Sequence, residues 1–375
     1  MGPLDGVRVV EIAGIGPGPF CAMLLADMGA EVVRVDRPEA AGQRVPALMA
    51  RGRRSLVVDL KQERGREVVL RLVERADALL EGFRPGVAER LGIGPAACQD
   101  RNPRLVYGRM TGWGQDGPLR QAAGHDLAYI ALAGALHPIG EPGGPPVPPL
   151  NLLGDFGGGG LLLAFGIACG LVEARRSGRG QVIDAAIVDG AALLTTAVHE
   201  LTALGAWEER RGVNLLDGGV PYYSVYETAD GEHMAVGALE PKFYAELIDK
   251  LGLNADELPP REDRERWPEL RERLAAAFRA RTREAWTDVF EGSDACVAPV
   301  LRPSEAVAHP HNRARNSFIP VGGSPQPAPA PRFSRTPPER PTPPPSPGQH
   351  TDEILASIGF TPQEIAALRT TGAVA

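Results

Sequence analysis

Three carboxyl or imidazole groups and one basic stretch in this 375-residue chain have types and settings suited to chemistry. Gly124-His125-Asp126 stands where a helix begins. A histidine at a helix N-terminus is disfavoured as the imidazolium, which suits it to accept a proton near neutral pH, though a lone histidine is as readily structural. Gly154-Asp155-Phe156 runs into four glycines, Gly157 to Gly160. Each glycine costs roughly 1 kcal/mol of helix stability relative to alanine, so something must approach that backbone closely. Either a second helix packs there, or bare amides stabilise a developing oxyanion beside Asp155. Asp155 could then serve as base or nucleophile, and as an acid only if partly desolvated. Glu240 precedes Pro241 at the head of another helix. Glutamate caps helices poorly, so Glu240 is either a solvated surface carboxylate or a functional one.

Between Arg37 and Lys61 lie six cations (Arg37, Arg44, Arg51, Arg53, Arg54, Lys61) and two acids (Glu39, Asp59), a local charge of six minus two, or +4, in a chain of net charge −7. This is either a solvated basic face or a seat for a polyanion of phosphate type, gripped by guanidinium forks at strand ends. Arg84, next to Gly82 after a further strand, falls at the same sheet edge. The turn Gly14-Ile15-Gly16-Pro17-Gly18-Pro19 resembles a dinucleotide fingerprint with Asp36 downstream, but the third glycine falls at Pro19, where no amide is available to a pyrophosphate. It reads as a tight turn that lets a helix pack closely. The remaining histidines (His137, His199, His233, His309, His311, His350) show no metal-ligand spacing, and there is no GxSxG elbow.

The elements that must position these residues alternate in period. Val7 to Ile12, Glu31 to Val35, Ser55 to Leu60, Ala78 to Leu80 and Arg104 to Arg109 read as strands, separated by helices at Phe20 to Met28 and Gln62 to Ala76. That pattern predicts βαβ units and a mainly parallel sheet covered on both faces. Helices are expected near Asp126, over Gly157 to Arg176 and over Ala186 to Leu204, with a short strand at Gln181 to Ile183. Tyr222 to Glu227 and His233 to Val236 read as an antiparallel pair, followed by amphipathic helices over Pro241 to Leu251, Arg264 to Arg281 and Thr282 to Phe290. The expected division is a large domain over 1–200 and 330–375, a small α+β domain over 220–315, and an extended strap over 325–347, where 11 of 23 residues are proline. Short helices follow at Asp352 to Ile358 and Thr361 to Arg369.

Composition narrows the classes. With 43% hydrophobic and 23% charged residues the chain is globular, and its acidic balance argues against nucleic-acid binding. Cys21, Cys98, Cys169 and Cys296 are too scattered for a zinc cage, and Cys21 and Cys169 read as buried thiols. Gly157 to Val172 is too short and glycine-rich to span a bilayer, and the opening residues match neither a secretory signal nor a myristoylation site. A cytoplasmic protein with no membrane partner is expected.

Leu4-Asp5-Gly6-Val7-Arg8-Val9-Val10-Glu11, Gly16-Pro17-Gly18, Leu25 to Val33 and Val35-Asp36-Arg37-Pro38 resemble the opening of the family III CoA transferases. Arg109 to Gln115, Gly124-His125-Asp126, Gly154 to Gly159, Leu215-Leu216-Asp217-Gly218-Gly219 and Gly237-Ala238-Leu239-Glu240-Pro241 resemble the branch that racemises 2-methylacyl-CoA thioesters. The resemblance implies a Rossmann-like α/β domain, a smaller α+β domain, an interlocked homodimer with shared active sites, and a role in fatty-acid and lipid metabolism. His125 and Asp155 match the acid/base pair, and Glu240 a carboxylate from the small domain. Arg37, Val58, Asp59, Leu60, Lys61, Gly82, Phe83, Arg84 and Arg90 match CoA-contacting positions, with Gly124 and Asp126 beside His125 placed in the same set. No metal and no cofactor beyond the substrate's own CoA is implied. Proton transfer through an enolate would need a group on each face of the α-carbon. The competing chemistry is CoA transfer, with Asp155 as nucleophile forming an acyl anhydride and then a CoA thioester.

Overall fold

The computed structural model describes residues 2–41 and 48–375, which fall into two compact units. The first comprises Met1–Ala133, Leu150–Leu194 and Asn316–Ala375; the second comprises Gly134–Pro149 and Thr195–Arg315.

The first unit begins with β1 (Arg8–Ile12), α1 (Pro17–Asp27), β2 (Glu31–Asp36), β3 (Arg53–Val57), α2 (Glu63–Val73), β4 (Ala78–Glu81), α3 (Val87–Arg90), α4 (Pro95–Arg101) and β5 (Val106–Thr111). It continues with α5 (Asp126–Leu132), a π-helical segment (Leu152–Leu161), α6 (Leu162–Ser177), β6 (Val182–Ala186) and α7 (Ile187–Leu194). The six strands form one sheet in the order β3-β2-β1-β4-β5-β6, and every adjacent pair is parallel. Successive side chains point to opposite faces, and the sequence supplies an apolar group to each. Val10, Val33, Leu79 and Tyr107 pack on one face with Val68 and Val69 of α2. Val9, Val32, Leu80 and Val106 pack on the other with Cys21 and Leu25 of α1 and Leu163 and Ile167 of α6.

The helix expected from Gly157 instead opens with the π-helical segment, and its glycines explain why. A Cβ on Gly158 would come within 2.7 Å of the Ala191 backbone nitrogen, and one on Gly160 within 2.6 Å of the Pro17 carbonyl. The run therefore lets α7 and α1 pack backbone to backbone. It does not offer amides to a ligand, since Gly158, Gly159 and Gly160 are all buried. With α6 it forms a 26-residue helix, Leu152–Ser177, long and apolar enough to cross a membrane by length and composition, which corrects the expectation drawn from Gly157 to Val172. Its inner side, Leu163, Ile167, Leu171 and Ala174, is buried in the core. Cys169 lies on the opposite side and is exposed, not buried as its apolar neighbours had suggested.

The second unit contains α8 (Thr196–Ala203), β7 (Tyr223–Glu227), β8 (His233–Gly237), α9 (Pro241–Lys250), α10 (Trp267–Phe278), α11 (Arg283–Phe290), β9 (Val297–Pro299), α12 (Pro303–Ala308) and α13 (Pro310–Ala314). The helix expected over Ala186 to Leu204 is two helices, broken at Thr195 (φ −89°, ψ 9°). The expected β7–β8 pair is antiparallel and gains β9 as a third strand. Its core is aromatic, with Phe278 stacked 5.1 Å from Tyr226 and edge-on to Trp286 at 5.6 Å. Asp217 of the Leu215 to Gly219 motif accepts the amides of Gly212, Asn214 and Gly219, so it locks its own loop.

The chain then returns to the first unit through β10 (Phe318–Val321), β11 (Ser324–Pro327), α14 (Thr351–Ser357) and α15 (Pro362–Thr370). The first residues of the proline-rich segment form an extended strand of an antiparallel hairpin, a two-stranded setting that tolerates proline. Beyond it the chain is tied down, with the Thr342 carbonyl accepting the Gly52 amide at 3.0 Å. Ile354, Leu355, Ile365 and Leu368 complete the first face of the sheet.

Candidate active site

In the strand order of the first unit the chain reverses direction of winding between β1 and β4, and ligands of open α/β sheets bind outside the carboxyl ends of strands at such a point. A cavity of about 1070 Å³ lies there. It is lined by residues that follow β1 (Ala13 to Pro19), β2 (Arg37), β4 (Gly82 to Pro85) and β5 (Gly112, Trp113), together with His125 and Asp155.

His125 is the N-cap residue of α5, with extended backbone (φ −135°, ψ 172°), and its carbonyl accepts the Ala128 amide at 2.8 Å. Its exposed ring lines the cavity. Asp155 projects from the π-helical segment into the same space. Asp126 connects the two: its buried carboxylate Oδ1 accepts the Asp155 amide at 2.6 Å. Gly154 must be glycine for that approach, because a Cβ there would sit 2.3 Å from Asp126 Oδ1. Asp126 is not among the cavity-lining residues, where its place in the motif had suggested it; its second oxygen is buried without a hydrogen-bond partner.

Burial pushes the Asp155 carboxyl above its ordinary value, and the nearby Asp126 charge adds to this, against a weak Asn151 Nδ2 hydrogen bond at 3.4 Å and the His125 ring. Gly16, with φ +67°, faces the same carboxyl: a Cβ there would lie 3.2 Å from Asp155 Oδ2. Gly16 also caps α1, whose first turn contains Pro17 and Pro19. Of its first three amide positions only Gly18 carries a hydrogen, which explains why this turn is a poor pyrophosphate cradle.

Tyr129 and Trp113, which sequence reasoning passed over, form the wall behind His125. The Tyr129 hydroxyl donates to the Gly124 carbonyl, and its ring meets Trp113 edge-on at 4.8 Å. A Cβ on Gly112 would fall 2.0 Å from the Tyr129 ring and one on Gly124 2.6 Å. Two glycines flanking an aromatic helix start were the available signal. Arg34 and Arg120 also line the cavity unannounced.

Of the residues matched to CoA contacts, Arg37, Gly82, Phe83, Arg84 and Gly124 line this cavity, while Val58, Asp59, Leu60, Lys61 and Arg90 do not. Val58 is a core residue bridged to Val374, and Asp59 turns back onto the Lys61 amide. The Gly82 to Arg84 turn is held by Glu81, which accepts the Phe83 amide at 2.6 Å and is itself buried against Arg109 at 3.0 Å. Most of the basic stretch is structural. Arg51 pairs with Asp27, Arg53 with Glu11, and Arg54 with Glu31 and Glu353. Arg44 lies outside the described residues. Glu240 is the exposed N-cap residue of α9 in the second unit, with no side-chain cap, and is not among the cavity-lining residues. Among the described residues no group of three or more His, Cys, Asp or Glu is placed to hold a metal.

The model of CoA-transferase family III matches residues 4–351. The chain is 51% identical over 370 residues to alpha-methylacyl-CoA racemase of Mus musculus, covering 98% of this chain and 96% of that protein. It is 50% identical over 378 residues to alpha-methylacyl-CoA racemase of Homo sapiens, with the same coverage of each. Among solved structures, a CAIB/BAIF family protein from Brucella suis superposes with a TM-score of 0.80 at 27% identity, covering 95% of this chain and 99% of that one.

Proposed function

Because this chain belongs to CoA-transferase family III, we propose that it is the isomerase its most similar relatives indicate, a racemase of 2-methylacyl-CoA thioesters that moves one proton off and another onto the same carbon. The observation that carries this is the pairing in one cavity of an imidazole and a carboxyl group raised by burial, His125 and Asp155.

The α-hydrogen of a thioester is weakly acidic, so its removal needs a base on one face, a proton donor on the other and stabilisation of the enolate between them. In one direction His125 takes the proton and protonated Asp155 returns one; in the other direction the roles exchange. Both directions start from a pair that shares one proton. Burial of Asp155 narrows the free-energy gap between the two arrangements of that proton, which a reversible two-base reaction requires. Glu240 orients or polarises the imidazole. Arg37, Arg84 and Arg120 face the nucleotide's phosphates, in keeping with the +4 stretch read from sequence only in part.

An exposed apolar stripe on the outer side of the π-helical segment and α6, formed by Leu161, Phe165, Cys169 and Val172, supports a homodimer, because monomers rarely leave such a face to water. In that dimer the second unit of one copy supplies Glu240 to its partner's cavity.

CoA transfer would use the same Asp155 carboxylate as a nucleophile that forms an acyl anhydride. Incubating a 2-methylacyl-CoA with and without a carboxylic-acid co-substrate separates the two reactions. Epimerisation at equal rate in both samples, with no acyl-CoA of the added acid, is expected; formation of that new thioester would overturn the assignment.

A further inference from the structure

Within the second unit, Arg261 is a half-buried guanidinium, its side chain 14% exposed, that touches the backbone next to Glu240. Its Nη2 donates to the Leu239 carbonyl at 2.5 Å. On the other side of Glu240, the Glu240 carbonyl accepts the Tyr244 amide at 2.9 Å. The same Tyr244 ring and that of Tyr222 flank the guanidinium, with centroids 4.9 and 4.2 Å from Cζ, and the two rings meet edge-on at 5.6 Å. The main chain of Arg261 is fixed as well, its carbonyl accepting the Trp267 indole N–H at 2.8 Å.

This arrangement is costly for a residue with no task. Nη1 is buried without an acceptor, and Nε meets only Glu262 Oε1 at 3.3 Å, outside hydrogen-bond geometry. Buried donors left unpaired normally call for an explanation. Two aromatic rings compensate in part, and a guanidinium can lie against both while its fork still reaches a carbonyl, which a compact ammonium cannot.

We propose that Arg261 is a positioning residue for Glu240: packed against Tyr222 and Tyr244, it clamps the Leu239 carbonyl and so aims the carboxylate that follows. The inference rests on the role given above to Glu240. Arg261 is not among the residues that line the His125–Asp155 cavity, so the effect proposed for it on turnover passes through Glu240.

The test is a double-mutant cycle on the full-length protein, read as kcat and KM for epimerisation of a 2-methylacyl-CoA, with thermal unfolding of each variant. Arg261→Lys keeps the charge but loses the ring packing and the fork. It is expected to lower kcat about tenfold at unchanged KM, as misplacement of a group remote from the substrate does. Glu240→Gln is expected to lower kcat at least as far, and the double variant no further than Glu240→Gln alone. Losses that multiply in the double variant, or wild-type kcat in Arg261→Lys alongside a slow Glu240→Gln, would overturn the inference and leave the Glu240 assignment standing. Wild-type kcat in Glu240→Gln would overturn that assignment and the inference with it. A lowered Tm with kcat of the folded fraction unchanged would mark Arg261 as structural only and would also overturn it.

Discussion

At the C-terminal end of α1, Asp27 is buried against Arg51, which donates from Nε at 3.1 Å and from Nη2 at 2.6 Å, and Arg51 donates onward to Gln326 and the Pro327 carbonyl. At the N-terminal end of the same helix, the Asp155 carboxyl faces the bare Cα of Gly16 and one distant Asn151 amide. Burial raises both carboxyls above their ordinary values. The difference lies in what faces them. A buried carboxylate with a bidentate guanidinium and a satisfied network behind it ties the proline-rich strap to the sheet; a half-buried carboxyl at the cavity wall, left nearly alone, is free to exchange a proton. A raised carboxyl does not by itself distinguish structure from chemistry here, whereas the partner and the access to the cavity do.

Five substitutions sharpen or break that contrast. Asp155→Asn is expected to slow epimerisation by about 10³-fold, within the usual range for loss of a general acid/base, as measured by chiral analysis of the acyl-CoA pool. Its stability should move the opposite way. A raised folded-state pKa gives stability that is present below the ordinary carboxylate range and lost as pH rises through the folded value. Above that value Asp155 is an unfavourable, half-buried charge, so Asp155→Asn should melt no lower than wild type at pH 8. Asp27→Asn should instead cost about 3–5 kcal/mol of stability, because it leaves Arg51 buried and unpaired, while kcat of the folded enzyme stays near wild type. Equal melting temperatures in these two variants would erase the distinction.

The arginines offer the same contrast at smaller scale. Arg84→Ala should raise KM for an acyl-CoA about tenfold with little change in kcat, as loss of one charge-assisted phosphate contact does. Arg54→Ala, which breaks partly exposed pairs with Glu31 and Glu353, should change neither KM nor stability by more than about 1 kcal/mol. A modest effect on turnover belongs to Tyr129→Phe. It keeps the ring against Trp113 but frees the Gly124 carbonyl, and kcat should fall about threefold to tenfold at constant KM.

These outcomes also bear on what could be seen in the sequence. The parallel sheet was legible because adjacent residues such as Val9 and Val10, or Leu79 and Leu80, are both apolar and go to opposite cores. His125, Asp155 and the glycine turn stood out because each breaks a local preference at an element boundary. The basic stretch misled because charge density along a chain does not reveal partners: Asp27 and Glu11, which take up Arg51 and Arg53, lie 24 and 42 residues away. Asp126 looked like a contact residue by adjacency to His125, yet a helix start can point one side chain into a cavity and the next into the protein. The π-helical turn had no signature of its own, since four glycines are compatible with both amide exposure and close packing, and only the approach of α7 and α1 decides between them.

The central claim is that two groups, His125 and Asp155, work from opposite faces of one carbon, and enantiomer-resolved solvent exchange tests it most directly. Each enantiomer of a 2-methylacyl-CoA is incubated in D2O with His125→Ala and with Asp155→Asn, and α-deuterium is followed separately from inversion. Neither variant should invert its substrate, and each should retain exchange of one enantiomer, a different one for each variant. Exchange of the same enantiomer by both variants, or inversion that survives in either, would contradict the assignment.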